Sequence, residues 1–122
     1  MDNPQALAGV WTCVSGINDG KPLPEAIVKE LKLTLTKDQY KTEKGNVVLF
    51  DGLYKIDAAQ LPKHIDITAP EGEQAGKTSK GIYAIEGDTL RMCYANPDKD
   101  RPRDFDSQPG SGATLVVWKR VK

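Results

Sequence analysis

The sequence predicts an all-β protein, an eight-stranded antiparallel up-and-down barrel with one short helix between its first and second strands. Three observations indicate this fold. Eight short segments alternate apolar and polar residues, as half-buried strands do. Short links with turn-forming residues join several of these segments, and a single short segment has a helical period. With 122 residues the chain is the size of one domain, so we expect residues 1–122 to share one core.

The alternating segments define the expected strands and their order. They are residues 10–15, 31–36, 39–43, 47–56, 64–68, 81–85, 89–94 and 114–121. Residues 37–38, 44–46 and 86–88 are links of two or three residues, and the last two contain the glycine that tight hairpins favour. We therefore expect strands that are adjacent in sequence to be adjacent in the sheet. Two connections, residues 16–30 and 95–113, are too long for simple hairpins, and loops of this length are often functional or mobile.

The helical segment lies inside the first long connection, at residues 24–30. Pro24 suits a first helical position, and Glu25 follows where the helix dipole favours an acid. Ile27, Val28 and Leu31 share one face, so the pattern predicts a brief amphipathic helix of two turns.

The first and last strands are expected to pair and close the sheet. An open sheet of eight short strands leaves two exposed edges, and closure into a barrel removes them. The last strand, TLVVWKRV, then lies beside the first, GVWTCVS, which brings Trp11 close to the segment from Trp118 to Arg120. We expect Trp11 to plug one end of the barrel. An eight-stranded barrel is either filled by its own side chains or wide enough for one small ligand.

Composition argues against several classes of partner. Lys and Arg total 17, as do Asp and Glu, so the net charge is zero and there is no basic footprint for nucleic acid. No apolar run reaches membrane-spanning length, and MDNPQALAG lacks the basic and apolar regions of a signal peptide. We expect a soluble chain, either cytoplasmic or exported with its signal already removed.

The residues suited to catalysis or metal binding do not form a recognisable motif. His64 is the only histidine, and no serine sits in the glycine pattern of a nucleophile elbow. Cys13 and Cys93 lie in separate apolar strands, so we expect two buried free thiols, with a disulfide as the alternative. The acidic loop NPDKDRPRDFDS lacks the glycine and distal glutamate of a calcium loop, and its basic residues would neutralise such a site. We predict no catalytic residue, no cofactor and no metal ion.

Asp66 has two possible orientations. It alternates with Ile65 and Ile67, so it lies on the surface if the isoleucines face inward and inside the barrel if they face outward. An inward Asp66 would have a raised pKa unless Arg91 or Tyr83 supported its charge. We favour the surface position, because charged side chains are rarely buried.

Gly9, Val10 and Trp11 on the first strand, with a basic residue near the end of the last, resemble the lipocalin and calycin pattern. In that pattern an Arg or Lys lies across the indole ring and closes the barrel base; Arg120 matches it, with Lys119 as the alternate. A longer series of ordered segments resembles a small bacterial lipocalin-like domain family of uncharacterised function, common in planctomycete-type genomes. These segments are GVWTCVSGINDGKPLPE, LKLTLTKDQY, GLYKID, KHIDIT, GKTSKGIYAIEGDTLRMCYA, DRPRDF and QPGSG. The resemblance implies a calycin-type barrel and carries over no catalytic residue.

The leading functional hypothesis is a non-enzymatic barrel that binds a small, largely apolar molecule. The inward residues expected to line it are Leu33, Leu35, Tyr54, Ile67, Tyr83, Met92 and Val117. At the mouth, Phe105 and Arg101 would offer an apolar and a cationic contact, which suits a ligand with one anionic group. Alternatively, Phe105 anchors its own loop and Arg101 pairs with Asp98 or Asp104.

Two other functional classes stay open. An accessory or interaction domain would have a packed core without a ligand and would bind a protein partner through its long loops. A lipocalin-like enzyme would use Asp66 or Tyr83 as its acid or base.

Overall fold

The computed structural model describes residues 7–57, 59–60, 62–69, 76–97 and 99–121. Strands dominate this part of the chain, and one short helix accompanies them. The elements are β1 (Gly9–Asn18), β2 (Lys21–Pro22), α1 (Glu25–Val28), β3 (Leu31–Leu35), β4 (Gln39–Lys44), β5 (Val47–Asp57), β6 (Lys63–Thr68), β7 (Thr78–Glu86), β8 (Thr89–Ala95) and β9 (Ala113–Arg120).

Eight of these strands form a closed antiparallel barrel, as the sequence predicts. From β3 to β9 each strand pairs with the next, β1 pairs with β3 on one side, and β9 pairs with β1 on the other. The closing pair runs from Trp11 opposite Arg120 to Asn18 opposite Thr114. The two-residue strand β2 pairs only with the end of β1 and lies outside this cycle. Each of the eight barrel strands thus has a neighbour on both sides, which stabilises a sheet that one short helix could not cover.

Most strands are longer than the alternation predicts, and two hairpin links are shorter. β7 begins at Thr78, three residues before the expected start, and β1 extends to Asn18. Lys44 pairs with Val47 and Glu86 with Thr89, so both links contain two residues instead of three. Each begins with a glycine at a φ of 58°, the left-handed conformation that two-residue hairpins require.

Helix α1 lies between β2 and β3, as expected, but is shorter than the predicted range 24–30. The backbone N–H of Val28 donates to Pro24 O, and that of Lys29 donates to Glu25 O, both at 3.0 Å. Ile27 and Val28 are half-buried, and the other helical residues are exposed. With none of its residues fully buried, one turn of helix is all that the local packing stabilises.

The core lies inside the barrel, and we call the end where β1 begins and β9 ends the base. The opposite end, where β1 ends and β9 begins, is the mouth. The buried cluster comprises Leu7, Trp11, Leu33, Leu35, Tyr40, Tyr54, Ile65, Ile67, Tyr83, Leu90, Met92, Val116 and Trp118. These residues come from every strand of the barrel, so one core serves the described chain.

The loop of residues 96–112 folds against the outer wall of the barrel and forms a second, smaller apolar cluster. Phe105 packs there against Ile82, Cys93 and Ala113, which face away from the barrel interior. Ser107 fixes the loop, since its hydroxyl donates to Ala113 O at 2.7 Å and accepts from the backbone N–H of Gly20 at 3.0 Å. The loop therefore does not lie at the mouth, where the sequence analysis places its Phe105 and Arg101.

No helix in the described part of the chain has the length and apolar character that crossing a bilayer demands.

Candidate functional site

Trp11 occupies the base of the barrel and is fully buried. Its indole Nε1 donates a hydrogen bond to the backbone oxygen of Leu7 at 3.0 Å. Leu7 is also fully buried and belongs to the core cluster. Leu7 and Ala8, which precede β1, therefore lie against the end of the barrel, where the Trp11 indole holds Leu7.

The Arg120 side chain lies over the ring of Trp11. Its guanidinium carbon is 4.2 Å from the centroid of the Trp11 ring, within the range of a cation–π contact. Its Nη1 donates to Ala8 O at 2.8 Å, and its backbone N–H donates to Asp88 O at 2.8 Å. Lys119, the alternate in the sequence analysis, is exposed. The base thus has the geometry expected from the sequence, with Arg120 as the closing cation.

The mouth end contains two adjoining pockets. The inner pocket has a volume of about 160 Å³ and is lined by Tyr40, Thr42, Phe50, Ile67, Ser79 and Tyr94. The mouth pocket has a volume of about 260 Å³ and is lined by Asn18, Leu23, Ile27, Leu31, Thr42, Leu49, Tyr94, Thr114, Val116 and Trp118. Thr42 and Tyr94 border both pockets and mark the point where they meet.

Aromatic rings line the inner pocket, and the hydroxyl groups of its tyrosines stay protonated. Tyr40 contacts Phe50 edge-to-face, with ring centroids 5.9 Å apart. Burial, followed by electrostatic interaction with Tyr94, raises the pKa of Tyr40 well above its usual value. Burial also raises the pKa of Tyr94, although a hydrogen bond with Thr114 partly offsets the effect. Both phenols are therefore neutral hydroxyl groups throughout the physiological range.

The mouth pocket places apolar side chains from the first long connection opposite the end of the barrel wall. Leu23 and Ile27, before and within α1, lie across from Leu49 of β5. Leu49 is 54% exposed. Its place follows from a β-bulge, because Glu43 pairs with Val48 and Thr42 with Phe50, which leaves Leu49 as the extra residue. The pocket therefore opens to solvent through an apolar rim.

Trp118 forms the deep end of the mouth pocket and is 2% exposed. Among the residues that the structure describes, its buried Nε1 has no hydrogen-bond acceptor. Trp11, the other tryptophan, has its N–H satisfied by Leu7. The two indole N–H groups thus differ, because that of Trp11 has an acceptor in the protein and that of Trp118 has none among the described residues.

The described side chains that line either pocket carry no charge at neutral pH. They are apolar groups, hydroxyls, one amide and one indole. An ion placed here would lose hydration without gaining a partner from the lining, which is costly in an apolar site. The arrangement suits a neutral molecule.

The residues expected to bind a ligand divide between the pockets and the packed core. Ile67 lines the inner pocket. Leu33, Leu35, Tyr54, Tyr83 and Met92 face inward, as the alternation predicts, and belong to the buried cluster. The prediction that Val117 faces inward is wrong. It pairs with Arg91, while its neighbours Val116 and Trp118 enter the core, so Val117 lies on the outer face.

Arg101 and Phe105 lie on the outer wall. The expectation that they reach the mouth is wrong. Arg101 Nη1 is 2.8 Å from Asp66 Oδ1 and donates to Gly81 O at 2.7 Å. Phe105 packs in the outer cluster, with the Arg91 guanidinium 5.1 Å from its ring centroid. Phe105 therefore anchors its own loop, and Arg101 has Asp66 as its partner in place of Asp98 or Asp104. The cation that would have suited an anionic ligand lies outside both pockets.

Asp66 and Tyr83 do not form a joint acid–base site. Ile65 and Ile67 are buried in the core, so Asp66 takes the surface orientation that the sequence analysis favours. Tyr83 is inside the barrel and 1% exposed. The barrel wall separates the two side chains.

The cysteines are both free, and they too lie on opposite sides of the wall. Cys13 packs against the inner core, whereas Cys93 belongs to the outer cluster. Burial raises the pKa of both thiols, and a backbone hydrogen bond partly offsets it in each case, with Ser15 for Cys13 and with Asp106 for Cys93. Among the described residues, no group of three or more His, Cys, Asp or Glu side chains is placed to hold a metal ion.

Sequence reasoning missed most of the pocket lining. Tyr94 follows Met92 by two positions on β8, so strict alternation would have found it. Leu49 and Phe50 were harder to assign, because the bulge interrupts the alternation there. The pocket volume itself has no sequence signal, since it depends on which side chains meet across the closed barrel.

Comparison with protein-family models, with curated protein sequences and with solved structures finds no match for this chain. Membership of the lipocalin-like family therefore stays a prediction from the ordered motifs.

Proposed function

We propose that this protein is a non-enzymatic barrel that binds a small, largely apolar molecule in the two adjoining pockets at its mouth. The observation that carries the proposal is the contrast between the two ends of the barrel. The base is packed and plugged by Trp11, whereas the mouth keeps pockets of about 160 and 260 Å³. A concave pocket with apolar walls and a few polar groups at the mouth of a barrel is a typical site for a small molecule.

The pocket volumes set the size of the molecule. An apolar cavity of roughly 150 Å³ is large enough to bind benzene, and drug-sized ligands occupy roughly 300 Å³ or more. The two pockets therefore suit a molecule with one or two rings. The apolar rim formed by Leu23, Ile27 and Leu49 offers it a route of entry.

The direct test looks for a bound molecule and then for its site. Native mass spectrometry of the purified protein, followed by organic extraction, should reveal a stoichiometric small molecule. Naphthalene titration by calorimetry should also show saturable binding with one site per chain. A clean protein mass together with no binding of naphthalene would contradict the proposal.

A pair of variants on β4 locates the site. Thr42→Phe fills the junction of the two pockets and should weaken naphthalene binding at least tenfold. Lys41→Phe adds the same ring one position away, on the opposite face of the strand, and should leave the affinity unchanged within about twofold. Equal effects of the two changes would place binding outside the pockets.

A second candidate is an interaction domain, and one feature of the mouth favours it. Val47, Val48 and Leu49 at the start of β5 are 62%, 48% and 54% exposed. Contiguous exposed apolar residues often mark a protein contact. This function predicts that mutation of Val47 and Val48 to Glu improves solubility while the calorimetric titration with naphthalene shows no heat of binding in any variant.

A further inference from the structure

We infer that the molecule held at the mouth is neutral and carries a hydrogen-bond acceptor that takes the indole N–H of Trp118. A small aromatic ketone, aldehyde or ester has this chemistry. The inference rests on the proposed function and specifies the class of ligand. It comes from two independent features of the described residues, a buried donor without an acceptor and a pocket lining without charge.

The first feature is the N–H of Trp118. Trp118 lines the deep end of the mouth pocket, and its Nε1 is buried without an acceptor among the described residues. A buried polar group without a partner is destabilising, and native proteins satisfy most such groups. Because Nε1 is shielded from solvent, a ligand acceptor reaches it only when the surrounding side chains shift. A ligand oxygen that accepts this bond satisfies the one buried donor of the pocket lining that has no acceptor among the described residues.

The second feature is the absence of charge on the side chains that line the two pockets. Arg101, the cation that the sequence placed at the mouth, is held on the outer wall by Asp66 and by Gly81 O. A carboxylate in the pockets would therefore be desolvated without a counter-ion, whereas a carbonyl oxygen needs only one donor. The two features together select a neutral acceptor over an anion and over a pure hydrocarbon.

Three probes of equal size separate these classes. Acetophenone is neutral and has a carbonyl acceptor, α-methylstyrene has the same shape with a methylene group in place of the oxygen, and benzoate has the same ring with an anionic group. Calorimetry on the full chain should rank acetophenone about three- to tenfold tighter than α-methylstyrene, the ratio that one hydrogen bond supplies. Benzoate should bind at least tenfold more weakly than acetophenone.

Nuclear magnetic resonance identifies the donor. The protein has two tryptophans, so a ¹⁵N-labelled sample gives two indole N–H signals. Acetophenone should move the Trp118 signal downfield, as a new hydrogen bond does. The Trp11 signal should stay in place, because that N–H already donates to Leu7 at the base. α-Methylstyrene should produce no comparable downfield shift.

Two substitutions complete the test. Trp118→Phe removes the donor and keeps an aromatic ring, so acetophenone should lose its advantage over α-methylstyrene. Trp11→Phe is the matched control and should preserve that advantage, because Trp11 lies at the base and outside the lining of either pocket. The signal shift in the unmodified protein provides a measurement that does not depend on how either variant folds.

The outcomes distinguish this inference from the function on which it rests. If α-methylstyrene or benzoate binds as tightly as acetophenone, or if the Trp118 signal does not move, the inference is overturned while a binding barrel remains. If none of the three probes binds, the proposed function fails with it. Selective binding of acetophenone with a shifted Trp118 signal supports both.

Discussion

Trp11 shows how one side chain supports the closed end of the barrel. It is fully buried, donates to Leu7 and carries Arg120 across its ring. We expect Trp11→Ala to lower the free energy of unfolding by about 3–5 kcal/mol, the usual loss for a buried large aromatic side chain. Urea denaturation followed by circular dichroism measures this value. A loss below about 1 kcal/mol would remove the plugging role.

Arg120 and Lys119 form a natural comparison at the same end of β9. Arg120→Met keeps the aliphatic length but removes the contact with the Trp11 ring and the hydrogen bond to Ala8. We expect it to destabilise the protein by about 1–2 kcal/mol. Lys119→Met changes an exposed neighbour and should stay within about 0.5 kcal/mol. If the two variants have the same denaturation midpoint, Arg120 does not close the base.

At the scale of elements, the loop of residues 96–112 is fastened to the barrel wall by a few side chains. Phe105 supplies its apolar anchor, and Ser107 ties it to Ala113 and Gly20. Phe105 and Arg101 are contacts of this loop, as the sequence predicts, but they lie on the outer wall and not at the mouth. The difference arises because Ile82 and Cys93 make an apolar strip on the outside of β7 and β8, which the loop covers.

Phe105→Ala should release this loop while the barrel stays folded. We expect a loss of about 2 kcal/mol in the free energy of unfolding, since Phe105 is only half-buried. Hydrogen exchange should rise in residues 96–112 and stay unchanged in β3 to β5. Asp104→Ala, an exposed change in the same loop, is the control and should alter neither quantity. Unchanged exchange in Phe105→Ala would contradict the anchoring role.

At the scale of the whole molecule, buried phenols make the fold sensitive to alkali. Burial, followed by the nearby negative charge of Asp38, raises the pKa of Tyr54 to about 12, and burial raises that of Tyr40 and Tyr94. The unfolded chain ionises its tyrosines near pH 10, so it releases these protons before the folded protein does. The stabilisation is therefore complete below about pH 10 and is lost as the pH rises toward 12 and beyond.

We expect the urea midpoint to fall steadily between pH 9 and pH 12. In Tyr54→Phe the free energy of unfolding should fall less over this pH range, by up to about 2 kcal/mol at its alkaline end. The same change should lower stability at pH 7, because Tyr54 donates a 2.6 Å hydrogen bond to Thr36 O. A decline in Tyr54→Phe as steep as in the unmodified protein would show that Tyr54 does not contribute to it.

Particular residues show how far prediction from sequence extends here. The alternation in KHIDIT places Ile65 and Ile67 in the core and Asp66 outside, and GVWTCVS places Trp11 at the base. The inward assignment of Val117 departs from the alternation, which places its neighbours Val116 and Trp118 in the core, and the alternation does not reveal Leu49 as a bulge residue. A bulge adds one residue to one strand and reverses the facing of the residues beyond it, and the partner strand that permits it lies elsewhere in the sequence.

The sequence by itself determined the all-β class, the order of the barrel strands and the pairing of Trp11 with a cation at one end. These properties depend on local periodicity and turn chemistry, which short segments contain in full. Only the tertiary structure decided that residues 96–112 cover the outer wall, that Trp118 keeps a buried N–H without an acceptor among the described residues, and that the mouth retains two uncharged pockets. Those properties depend on the volumes and polar groups of side chains that meet only when the barrel closes.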